Sequence, residues 1–118
     1  MITKSKSENV IQAEIYKWYN NSYCLKSNNP RGMIFSVANE LAGSNKIAMM
    51  QAKATGLVAG VSDLIVITPS GKLLFIELKT DKGVQSQVQK DFEQRVTALG
   101  FAYHVIRSLT EFKKIIEE

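Results

Sequence analysis

Apart from Lys72 at the turn, two acids and an amine interrupt the most apolar stretch of the chain, GVSDLIVITPSGKLLFIELKT, and they are Asp63, Glu77 and Lys79. Residues 61–68 and 72–79 read as two strands, and Pro69, Ser70 and Gly71 between them form a hairpin turn. Side chains two apart on a strand share a face, so Glu77 and Lys79 point the same way, continuing the side of Leu73 and Phe75. Leu74, Ile76 and Leu78 take the other side. A hairpin folds the start of its first strand beside the end of its second, which brings Asp63 next to that pair. An E-x-K on a strand is often only a solvated face. Here the charges extend a face that begins apolar, where charge is costly unless it is paired or bound to a cation. Two carboxylates offer hard oxygen ligands to Mg²⁺ or Mn²⁺, and the backbone carbonyl of Leu78 could add another. Lys79 beside them could orient or deprotonate water, or stabilise a charged transition state, in the hydrolysis of a phosphodiester.

The elements that must hold this hairpin are legible around it. A first helix is expected from Ser5 or Ser7 to about Tyr19, with Ser5 and Glu8 at capping-box spacing, Ile11, Ile15 and Trp18 on its buried face, and Asn20, Asn21 and Ser22 ending it. Residues 26–32 read as loop, 33–38 as a short strand, 39–45 as loop and 46–55 as a helix. Met49 and Met50 are expected to fill core. After the hairpin, residues 85–99 form a helix with a second capping-box pair, Ser86 and Gln89, stopped by Gly100. Residues 101–106 form a strand. Ser108, with Glu111 as its capping-box partner, opens a last helix to about Ile116. The order is α-β-α-β-β-α-β-α, a mixed α/β fold whose sheet is covered by helices.

Length and composition set the frame. The 118 residues fit one domain, taken as 1–118, and 45% hydrophobic content can fill a core. A net charge of +4 and a pI near 9.2 suit a polyanionic partner without specifying one. Cys24 is the only cysteine and His104 the only histidine, so an internal disulfide and a Cys/His zinc site are both excluded. Cys24 reads as inert, and His104, alternating with Tyr103 on its strand, as structural. The N-terminus has no signal-like apolar run, and no stretch reaches the roughly 20 residues of a membrane helix. A soluble protein of the cytoplasm, in a bacterium or a phage-infected cell, is the expectation.

The Asp63-x13-Glu77-x-Lys79 layout across a hairpin resembles the PD-(D/E)XK nuclease superfamily, and within it the virus-type replication-repair nuclease (VRR-NUC) domain. SENVIQ resembles that family's opening helix and FSVANELAG its following strand and loop. GLVAGVSDLIV with FIELKT resembles the catalytic hairpin, and SQVQKDFEQRVTALGFAYHVIRS the closing helix and strand. Ser62 stands where the family often has proline. The match spans nearly the whole chain and looks like the stand-alone copies that viruses and phages carry.

The resemblance implies a restriction-endonuclease-like fold and an Mg²⁺- or Mn²⁺-dependent endonuclease acting on DNA, with branched or Holliday-junction DNA as a plausible substrate. It implies Asp63 and Glu77 as metal ligands, Lys79 as the catalytic lysine, Glu8 as a further acidic ligand and Gln89 as a residue that places lysine or substrate. Glu8 could instead only cap its helix, and Glu14 is the rival carboxylate, since both flank the Ile11/Trp18 stripe. Family spacing favours Glu8, with Gln12 one turn on. Gln89 could only be a cap. Asn39, Lys46 and Gln12 are candidates for nucleic-acid contact, with ordinary solvated positions as the alternative. Cutting both strands of a symmetric junction needs two sites, hence a two-fold homodimer. A non-catalytic nucleic-acid-binding module of the same fold is the alternative function.

Overall fold

Ser7 sets where the first helix begins: its hydroxyl accepts the N–H of Val10, and Glu8 sits in the first turn where a negative charge suits the helix dipole. In the computed structural model, which describes residues 7–25, 29–37, 45–56, 58 and 60–117, helix α1 spans Glu8–Tyr19. Ser5 lies outside the described residues. The buried stripe is Ile11, Ile15 and Tyr19, at i, i+4 and i+8, whereas Trp18 is half-buried beside it. Asn20, Asn21 and Ser22 do not end the winding. The chain continues as a π-helical turn, Asn20–Cys24, closed by the Leu25 N–H on Asn20 O at 3.0 Å. The wider turn stacks Tyr23 on Tyr19 at 4.9 Å between ring centroids and sets its edge against Trp18, contacts that outweigh the turn propensity of the asparagines.

Strand β1 is Met33–Ser36, helix α2 Lys46–Ala54, strand β2 Leu64–Ile67, strand β3 Leu73–Leu78, helix α3 Gln87–Ala98, strand β4 Ala102–Ile106 and helix α4 Leu109–Glu117. The expected element order holds. The strands lie in one sheet in sequence order, β1–β2–β3–β4, antiparallel except for the parallel β3–β4 pair. That parallel pair needs a crossover, and α3 supplies it. Thr68 to Gly71 closes the β2–β3 hairpin, with the Gly71 N–H on Thr68 O and Gly71 at φ +89°, which only glycine adopts freely.

The sheet is apolar on both faces. Leu64, Val66, Leu74, Ile76, Leu78 and Ile106 pack with Ile11, Ile15 and Tyr19 of α1 and Phe112 of α4. On the opposite face, Phe92 and Val96 of α3 pack with Tyr103, Phe75, Val61 and Val105. Helix α3 opens on a full capping box between Ser86 and Gln89. At α4 the Glu111 N–H bonds Ser108 Oγ, but the return arm reaches one residue further back: Glu111 Oε1 accepts the N–H of Arg107.

Helix α2 departs from the expected covering role. Among the described residues it packs on no other element, and Met50 is 69% exposed rather than part of the core. Ile47 is likewise exposed, so the apolar side chains of this helix are not covered by any other described element. The Met49 side chain lies outside the described residues.

His104 on β4 is half-buried, and its pKa is lowered by burial, against an opposing pull from the charge of Glu93. The unfolded chain therefore binds a proton at His104 more readily than the native protein does. Stability contributed by neutral His104 is complete above pH 6.5 and declines as pH falls through that value. Thermal melts of wild type and His104→Gln between pH 7.5 and 5.5 should show the wild type losing more of its melting temperature. Parallel curves would mean that His104 does not carry this dependence.

Candidate active site

The hairpin register decides which groups meet. Leu64 faces Ile76 across β2 and β3, so the preceding residue, Asp63, comes opposite Glu77. Asp63 Oδ2 accepts the N–H of Leu78 at 2.7 Å, which ties the carboxylate to the end of β3. The N–H and C=O of one strand residue point to the same side, so the Leu78 carbonyl also faces the Asp63 edge. Glu77 and Lys79 share the α3 side of the sheet, and Lys79 Nζ lies 3.7 Å from Glu77 Oε2.

Glu77 is 1% exposed. A carboxylate so buried needs donors, and its Oε1 has two: the phenol of Tyr103 on β4 and the side-chain amide of Gln85, which donates at 3.2 Å. The same Gln85 amide donates to Glu93 on α3 at 2.9 Å. Oε2 is different. It is a buried oxygen without a hydrogen-bond partner, facing Lys79 beyond hydrogen-bonding distance.

Electrostatics link these groups. Burial pushes the Asp63 carboxyl above its usual range, and the Leu78 N–H opposes the shift. The charges of Glu8 and Glu77 add to it, and that of Lys79 reduces it. Glu8, exposed at the start of α1, is thus close enough for Asp63 to respond to it, and Glu14 is not among the groups that shift Asp63. Burial, and then the bond to Glu77, push the Tyr103 phenol far above its ordinary value.

The remaining candidates stand apart from this cluster. The Gln89 amide oxygen accepts the Ser86 N–H at 2.8 Å in the capping box. Gln85, four residues earlier, is the glutamine that touches Glu77. Gln12 lines a cavity of about 280 Å³ with Asn9, Ala13, Tyr16, Ser36 and Leu64. Lys46 is exposed in the first turn of α2, next to its Asn45 cap, and Asn39 lies outside the described residues. Sequence reasoning missed Gln85 and Tyr103. An aromatic-alternating strand that pairs in parallel beside Glu77 was the available signal for Tyr103, but only with the register in hand.

The loop after Lys79 is held by one side chain. Arg107 Nη1 donates to the carbonyls of Thr80, Asp81 and Gly83 at 2.5, 3.3 and 2.8 Å. In Arg107→Met all three carbonyls lose the guanidinium, Thr80 O keeping only the Gly83 N–H, and the loop carrying Gln85 loosens. We expect a loss of about 1–3 kcal/mol, read by urea unfolding, with unchanged stability as the contrary result.

A divalent cation fits these residues. Glu77 Oε2 is an orphaned buried anionic oxygen, Asp63 stands opposite it, and both are hard donors. No group of three or more His, Cys, Asp or Glu side chains placed to hold a metal occurs among the described residues. Mg²⁺ is commonly held by one or two carboxylates, with substrate phosphate and water completing its shell, so two suffice.

The element order and the four-stranded mixed sheet flanked by helices define a mixed α/β fold. The sequence matches the model of the VRR-NUC domain over residues 5–109, and the chain belongs to that family, whose fold is of nuclease type. Among solved structures it is similar to a VRR_NUC domain protein at 20% identity and TM-score 0.70, covering 97% of this chain and 88% of that one. A second, described as a VRR_NUC domain, is similar at 19% identity and TM-score 0.64, covering 94% and 95% respectively. No curated protein matches it. No helix among the described residues is long and apolar enough to cross a membrane.

Proposed function

We propose that this protein is a divalent-metal-dependent endonuclease that hydrolyses phosphodiester bonds in DNA, with Asp63, Glu77 and Lys79 at its centre. The observation that carries the reading is the buried Oε2 of Glu77, which accepts no hydrogen bond and lies beside Asp63 and 3.7 Å from the Lys79 ammonium at the end of a hairpin. Burying a carboxylate oxygen with no donor is costly, and a site that receives a cation accounts for the cost. Asp63, Glu77 and the Leu78 carbonyl would hold Mg²⁺ or Mn²⁺, with Glu8 contributing from α1 through water. A bound cation acidifies water and offsets charge on the phosphate. Lys79, 14% exposed along its side chain, orients the attacking water and places positive charge where the pentavalent phosphorus bears its negative charge. Lys46, Gln12 and Asn39 are proposed to contact the nucleic acid backbone, and Gln89 to help shape the site through the start of α3.

One assay tests this reading. The protein is incubated with branched and linear DNA in Mg²⁺, Mn²⁺ or EDTA, beside Asp63→Ala and Lys79→Ala. Cutting that needs metal and falls at least about a hundredfold in both variants supports it. Binding without cutting in any metal points instead to a non-catalytic nucleic-acid-binding module. Preferential cutting of branched DNA, and a two-fold homodimer by light scattering, are the expectations for a junction enzyme. Equal cutting of linear duplex, or a strict monomer at micromolar concentration, would remove those two.

A further inference from the structure

We propose that Tyr103 and Gln85 are positioning residues for the metal: they hold Oε1 of Glu77, so that Oε2 alone is presented to the cation and to Lys79. This inference rests on the metal-dependent reading above. Neither residue belongs to the acid–acid–lysine pattern of the hairpin. Tyr103 comes from β4, in register with Phe75 and two positions below the level of Glu77 on the same face of the sheet. Its phenol donates to Oε1, and it is itself 8% exposed, packed against Phe92 of α3 at 6.1 Å between ring centroids. A phenol fixed in this way cannot follow the carboxylate if it turns. Gln85 reaches Oε1 from the loop ahead of α3, and its second acceptor, Glu93, anchors the amide.

The two oxygens of Glu77 therefore differ before any cation arrives. Oε1 is saturated by neutral donors, which stabilise the carboxylate without cancelling its charge. Oε2 has none, and its lone pairs remain for a metal. Without Tyr103 and Gln85 the carboxylate could rotate, share both oxygens with Lys79, and meet the cation in several poses. Partners that orient a metal ligand in this way typically contribute 10–100-fold to metal affinity.

The test measures Mn²⁺ affinity by electron paramagnetic resonance of the free ion, on the full chain without DNA. Comparisons are made well below each variant's melting temperature, which is recorded separately. Tyr103→Phe and Gln85→Leu should each weaken Mn²⁺ binding about tenfold or more. In a Glu77→Gln background the same two changes should have no further effect. A merely structural role would lower the melting temperature and leave the affinity of the folded protein intact, and that result overturns the proposal. So does an equal loss with and without Glu77. If Tyr103→Phe does not fold, Gln85→Leu, a change in a half-buried loop residue, decides the matter alone. A wild type that binds no Mn²⁺ and cuts no DNA overturns the parent reading along with this one. A wild type that binds and cuts, with variants that bind equally well, overturns only the positioning role.

Discussion

Glu77→Gln should abolish metal-dependent cleavage while leaving the metal-free protein at least as stable as the wild type. The substitution keeps the shape of the side chain. Its amide oxygen can take the place of Oε1 and still accept from Tyr103 and Gln85. Its nitrogen replaces Oε2, the oxygen with no hydrogen-bond partner, so the folded protein gives up a buried charge and its 3.7 Å ion pair with the partly exposed Lys79, and no hydrogen bond. Lys79 is partly exposed and can turn its ammonium to water. The catalytic loss is large, because a cation contributes several kcal/mol to a phosphoryl transition state and each 1.36 kcal/mol is tenfold in rate. A fall of roughly 10³-fold or more follows. Metal linkage separates the two effects: at a Mn²⁺ concentration of 100 times Kd the wild type gains about 2.7 kcal/mol of stability, and the variant gains little. Calorimetric melts with and without Mn²⁺, read beside the cleavage assay, check both halves. A variant that melts more than about 5 °C below wild type without metal would make Glu77 a structural residue first.

Gly60→Ala should be the most destabilising glycine-to-alanine change among the described residues. Gly60 sits at φ +80°, where an L side chain costs about 1–2 kcal/mol. A Cβ there would also lie 2.2 Å from the carbonyl oxygen of Val88, 2.6 Å from its carbon and 3.0 Å from the Gln89 nitrogen. All three are backbone atoms in the first turns of α3, so no side chain can swing aside. Either the segment leading into β2 lifts or the start of α3 shifts. The expected loss is about 3 kcal/mol, the sum of a positive-φ penalty and overpacking. For a chain of this size that is on the order of 10 °C in melting temperature. Cleavage should fall with it even below the melting point, since Asp63 lies three residues on and Glu93 anchors Gln85 from α3. Thermal melts and assays at low temperature test this, and a melting temperature within 2 °C of wild type would show that the two segments are not in close contact.

Much of this site could be read from the sequence because a hairpin is a local object. The turn at Pro69 to Gly71 fixes the β2–β3 register, and register plus the two-residue period of a strand puts Asp63 opposite Glu77 and Lys79 beside it. Caps were legible for the same reason, as at Ser86 and Gln89. What escaped depended on distant chain. Gln85 and Gln89 are equally good glutamines in sequence, and only the packing of α3 turns one toward Glu77 and leaves the other as a cap. Tyr103 required knowing that β4 pairs with β3 in parallel. Tyr23 prolonged α1 through ring contacts that propensity does not see. Met50 looked like core because α2 is rich in apolar residues, yet that helix packs on no other described element.

The parallel pairing of β3 with β4 places the Tyr103 donor 26 residues after the acid it serves, with a whole helix in between. During synthesis the hairpin emerges complete, carrying both carboxylates and the lysine, well before that phenol is made. The acid in this half-built sheet is bathed in water and held by neither of its donors. On the proposed reading, the acid would thus gain its orienting donors only once β4, the last strand of the sheet to be made, has docked beside β3.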